Sequence, residues 1–183
     1  MPGSTPIYEL PYLEPDDSPD IARATEDLAG AVETELARID ARPQPVQADS
    51  TTAVSAFTNT APAVGSPVVG VTFVAPPTGG VVLTVTGSIT QSLNGNSTLL
   101  GYEVRTGETI GSGSIVLAGS FNRSVQTSEA VNTGAAARIT ASNRFLLTGL
   151  TAGSTYNART LHWVSTAGTG NAFYRALLVE PVL

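Results

Sequence analysis

The sequence predicts a mainly β chain: an N-terminal extended arm and a single α-helix, read as a trimeric stalk, followed by an antiparallel jelly-roll-like β-sandwich. Three observations predict it. A helical period is confined to one stretch near the N-terminus. A proline-rich run of apolar residues precedes that stretch. After residue 50 the chain breaks into short runs that alternate apolar and polar residues, separated by Gly- and Asn-rich turns.

The arm spans residues 1–17 and contains "IYELPYLEPDDSPD" from Ile7 onward. Its prolines disfavour helix and ladder pairing, while Ile7, Tyr8, Leu10, Tyr12 and Leu13 are too densely apolar for an ordinary solvated tail. These five side chains are the candidate anchoring residues. They predict an extended strap buried against another protein, with Glu9, Glu14, Asp16 and Asp17 available to basic partners. Prolines that hold the strap extended in advance lower the ordering cost of binding.

The helix is predicted over 18–42. Ser18 suits the N-cap, Pro19 the first helical position, and Pro43 ends the run. Arg38 and Arg42 complement the negative end of the dipole. Ile21, Leu28, Val32, Leu36 and Ile39 form one apolar stripe opposite an acidic face. A stripe this short is marginal as an independent coiled coil, yet suits a seam between identical helices supported on both sides. These five residues are the expected oligomer interface. Residues 43–50 read as a stiff proline-rich linker, and 51–183 as the β-sandwich.

Within that domain, alternation puts Val81, Leu83, Val85 and Ile89 on one face and Thr84, Thr86, Ser88 and Thr90 on the other. It likewise groups Val69, Val71 and Phe73, and Leu100, Tyr102 and Val104. About eight to ten short strands are expected, in a sandwich or jelly roll. In "GLTAGSTY", Tyr156 is placed to cap the loop before its strand, as in immunoglobulin-like sandwiches. Tyr102, Tyr156, Phe173 and Tyr174 are candidates for a trimer axis.

Composition narrows the function classes. There is no cysteine and a single histidine, which removes thiolate chemistry, cysteine metal sites and multi-histidine sites within one chain. No metal and no cofactor are expected. All nine basic residues are arginine. Residues 1–49 carry eleven acids and three arginines, a net of −8, whereas 50–183 carry four acids and six arginines, a net of +2. The scattered arginines make no basic patch, so nucleic acid is not an expected partner. No apolar run is long enough to span a membrane, and the N-terminus lacks a signal-peptide pattern.

No catalytic residues are assigned. Glu103, Glu108, Glu129 and Glu180 show no paired-carboxylate spacing, and no nucleophile motif accompanies His162. The sequence therefore predicts a protein that is not an enzyme. His162 and Trp163 form the one pair resembling a ligand site. As strand neighbours they point to opposite faces, so one is expected in the core and the other toward solvent or a partner.

Two stretches carry a resemblance. "YLEPDDSPDIARATEDLAGAVETELARID" resembles the N-terminus of small virion proteins of tailed phages that infect actinobacteria. "FLLTGLTAGSTYNARTLHWVSTAGTGNAFYRALLVEPVL" resembles their C-terminal domains, with a "GL-x-x-G-x-x-Y" turn and a final "R-x-L-x-V-x-P". Together they cover roughly 70 of the 183 residues. The resemblance is to minor tail proteins or tail fibres, whose β domains resemble the tumour-necrosis-factor or C1q-like trimer. It implies a homotrimeric virion appendage, made in the host cytoplasm and placed on the tail or capsid exterior. Its arm would dock on another virion structural protein, and its β domain would attach to host-surface glycan. Capsid decoration through the same arm is the alternative reading, and a polysaccharide depolymerase the less favoured one.

Overall fold

The computed structural model describes residues 3–4, 11–12, 21–40, 42–127 and 138–182. They form two compact units, 1–42 and 43–183.

In the first unit, β1 (Gly3–Ser4) pairs antiparallel with β2 (Pro11–Tyr12), Gly3 opposite Tyr12 and Ser4 opposite Pro11. The expectation for the arm did not include this pairing, and a two-residue ladder at an edge tolerates Pro11. Ile7, Tyr8, Leu10 and Leu13 lie outside the described residues, as do the side chains of Tyr12 and Ile21. Helix α1 spans Ile21–Asp40, inside the range expected for it, and closes with the Arg42 amide donating to the Ile39 carbonyl at 3.1 Å. Its N-cap signal at Ser18 and Pro19 falls outside the described residues.

The second unit is an antiparallel β-sandwich. Its strands are β3 (Val46–Ser50), β4 (Val54–Phe57), β5 (Ala63–Val64), β6 (Gly70–Val74), β7 (Val81–Gln91), β8 (Thr98–Thr106), β9 (Ile115–Leu117), β10 (Val125–Gln126), β11 (Ile139–Leu147), β12 (Thr155–Val164) and β13 (Gly170–Pro181). A 3₁₀ turn covers Phe121–Arg123. One sheet runs β11-β7-β13-β3, with β4 also on β13. The other runs β10-β8-β12-β5, with β6 also on β12 and β9 on β8.

Residues 46–50, expected to belong to the linker, instead form the edge strand β3 against β13, with Val46 opposite Val179 and Ser50 opposite Arg175. Alternation decides this: Val46, Ala48 and Ser50 turn inward while Gln47 and Asp49 stay exposed. The proline spacer is thus limited to the residues before Val46.

The core lies between the sheets. Leu83, Val85 and Ile89 from β7 are fully buried, as are Leu100 and Val104 from β8 and Leu177 from β13. Burying each such side chain contributes about 1.5–3 kcal/mol. The faces predicted for β6, β7 and β8 are the faces buried here. Tyr156 is the second residue of β12, and its hydroxyl accepts a hydrogen bond from the Thr151 amide at 3.0 Å, the loop-capping role expected of it.

Candidate functional site

Three places hold the residues singled out by sequence. The first is the helix stripe. Leu28, Val32, Leu36 and Ile39 are 42–55% exposed in the chain. They stand at helical spacing, three or four residues apart, on one side of α1. The Glu35 carboxylate accepts two hydrogen bonds from Arg38, at 2.7 and 2.5 Å, one turn along. These hydrogen bonds hold the Glu35 carboxyl below its ordinary pKa.

The second place is the outer face of the sheet containing β8 and β12. Trp163 points outward from β12, as alternation requires, yet is only 6% exposed. It forms a separate apolar cluster with Leu99 and Leu161. The reason is a second layer of chain. A Cβ on Gly101 would lie 2.9 Å from the Trp163 ring and 3.4 Å from the Arg123 carbonyl, and one on Gly119 would lie 3.1 Å from Leu161. The segment around 119–123 therefore covers this face. Along the same face, Glu103 is buried between two arginines: Arg105 Nε donates at 2.9 Å and Arg159 Nε at 2.6 Å. Burial pushes the Glu103 pKa up, but the hydrogen bonds from Arg105 and Arg159 outweigh it and hold the carboxyl below its usual range. Farther along, the buried Asn157 organises the 107–112 loop. Its Nδ2 donates to the carbonyls of Thr106, Gly107 and Ser112 at 3.3, 3.0 and 3.2 Å, and its Oδ1 accepts from the Gly111 amide at 2.9 Å.

The third place is inside the sandwich. His162 points inward from β12 and is 5% exposed, its ring 4.3 Å from that of Phe57. Burial, reinforced by the charge of Arg175, pushes its pKa down to about 4. Arg175 enters the same interior from β13, in step with Leu177 and Val179, and is fully buried. Its Nη2 donates to the Thr52 carbonyl at 3.2 Å, while Nε and Nη1 have no hydrogen-bond partner. Burial lowers its pKa.

These positions correct two expectations. His162 and Trp163 do point to opposite faces, but neither reaches solvent, so the pair offers no open platform for a sugar ring. Tyr102 and Tyr156, expected as axis candidates, lie within the core at 1% and 6% exposure. Burial pushes the Tyr102 hydroxyl up to about 12, against the opposing charge of Arg123. Phe173 and Tyr174 are half-buried, and the Arg138 guanidinium stands 4.3 Å over the Phe173 ring.

Sequence reasoning missed Arg175 and the Glu103 cluster. Both left a signal. Arg175 shares its parity with Leu177 and Val179, which places it inward. Glu103 and Arg105, two apart on a strand, must share a face. Among the described residues, no group of three His, Cys, Asp or Glu is placed to hold a metal. No protein-family model matches the chain, and no curated protein matches it.

Proposed function

We propose that the chain is a structural virion protein of a tailed phage: a short homotrimeric fibre, anchored by its N-terminal arm and displaying its β unit for attachment to host-surface glycan. The observation that carries this reading is the bare apolar stripe of α1. Four large aliphatic side chains at helical spacing remain 42–55% exposed, whereas the β unit closes its own core. A stripe of that kind is what a seam between identical helices requires.

The strand order supports a jelly roll within that fibre. Taking β3 with β4, β5 with β6, and β9 with β10 as single interrupted strands, the pairings nest. The first strand lies beside the last (β3–β13), the second beside the seventh (β6–β12), the third beside the sixth (β7–β11) and the fourth beside the fifth (β8–β10). Nested pairing across two sheets is the double Greek-key pattern. The resemblance of both chain ends to phage tail proteins supplies the biological setting. Three β units per fibre and several fibres per particle would raise weak single-site attachment by avidity.

Immunogold labelling of intact particles with antibody to the β unit tests the assignment. Label confined to the tail end supports a fibre. Label over the shell instead assigns the protein to capsid decoration, and particles without label overturn the virion assignment.

A further inference from the structure

The turn between β7 and β8 carries a reactive pair that plays no part in the helix seam or the core. Asn94–Gly95 is the one Asn-Gly step in the sequence, and both residues are exposed in that turn. An asparagine is open to attack by its own backbone when its carboxamide is free, the next N–H is free, and the next residue has no side chain to crowd the ring that forms. All of these hold here. Neither the Asn94 carboxamide nor the Gly95 N–H has a hydrogen-bond partner among the described residues. A Cβ built on Gly95 would meet nothing within 4 Å, and its φ of +72° lies where glycine moves freely. Asn96 Nδ2 donates to the Asn94 carbonyl at 3.1 Å, which polarises the peptide joining Asn94 to Gly95 and favours loss of the Gly95 amide proton.

Other asparagines differ. Asn122 is also exposed, but the Arg123 amide that would attack it already donates to the Ser120 carbonyl at 3.1 Å. Asn59, Asn157 and Asn171 hold their carboxamides in hydrogen bonds.

We propose that Asn94 is a site of spontaneous deamidation and isomerisation, a slow, water-driven charge switch in the β7–β8 turn. The Gly95 nitrogen gives its proton to hydroxide and attacks Asn94 Cγ. The new N–Cγ bond closes a succinimide, the Cγ–Nδ2 bond breaks, and the nitrogen leaves as ammonia after taking a proton from water. A second water then opens the ring. Opening at Cγ restores the ordinary backbone with aspartate at position 94. Opening at the main-chain carbonyl carbon leaves isoaspartate, with the backbone routed through the side chain and longer by one methylene. Either product adds one negative charge, taking residues 50–183 from a net of +2 to +1. This inference is independent of the virion reading.

The full chain, held in mildly alkaline buffer and sampled over time by isoelectric focusing and mass-spectrometric peptide mapping, tests it. The expected result is a growing acidic form whose mass gain maps to position 94, with aspartyl and isoaspartyl peptides both present. It should form faster as pH rises, because the attack needs the amide anion. Asn94→Gln, whose longer carboxamide must close a larger ring, should lose the acidic form. Gly95→Ala should slow it severalfold. A folded chain that stays intact at 94 while a synthetic peptide of residues 92–97 converts would overturn the proposal. So would a mass gain that maps to other asparagines and spares 94, or Gly95→Ala converting at the unmodified rate.

Discussion

The two units handle their apolar side chains in opposite ways. In the β unit, Leu83, Val85, Ile89 and Leu177 are sealed between sheets, and even the outward Trp163 is covered by a second layer. In the helical unit, Leu28, Val32, Leu36 and Ile39 stay 42–55% exposed. One unit has the means to be stable as a single chain, and the other has not. A helix of 20 residues whose best face is bare is marginal in water, and its stability must come from what covers that face. The contrast teaches that the proposed assembly would draw on α1 and not on the β core.

Mutations can break that contrast or sharpen it. The largest effect is expected in the sealed core: Leu83→Ala should lower the unfolding free energy of the β unit by about 3 kcal/mol, read as a fall in the urea midpoint. Leu36→Ala should leave that midpoint unchanged and weaken self-association instead. A comparable loss of β-unit stability from Leu36→Ala would erase the distinction between the units.

Next comes Asn157→Ala. It removes four hydrogen bonds, three that tie the 107–112 loop to β12 and one to the Thr106 carbonyl at the end of β8, and should lower stability by about 1–3 kcal/mol. Hydrogen exchange should quicken at Gly111 before it does in β7.

The third effect is on pH dependence. His162 titrates near 6.5 when unfolded but about 4 when folded, so between those values the unfolded chain binds the extra proton. Stability from this group is fully present above pH 6.5 and is lost as pH falls toward 4. In His162→Gln, urea midpoints measured across that window should lose this component of the slope; an unchanged slope would mean that the ring is protonated inside the fold. The smallest effect is that of Tyr156→Phe, which deletes the acceptor of the Thr151 amide and should cost about 1 kcal/mol.

The sandwich was legible in the sequence because strand alternation is local. Val81, Leu83 and Val85 reveal their face without knowledge of any partner strand. The edge strand β3 was hidden by its neighbours Pro43 and Pro45, although Val46-Gln47-Ala48 already alternates. The fates of His162 and Trp163 were half legible. Their opposite directions follow from strand geometry, but the cover over Trp163 comes from a segment some forty residues away, about which local pattern says nothing. Arg175 was passed over because charge argues for the surface, and its inward parity is masked by the register shift at Phe173 between Ala172 and Tyr174.

The central claim is that α1 is covered by other copies of itself. Light scattering after gel filtration, on the full chain and on a 43–183 fragment that keeps β3, tests it most directly. The account predicts a full-chain mass of three chains, with the helix variant Leu36→Ala shifting it toward one. A full chain that runs as a single-chain species at every concentration would contradict it.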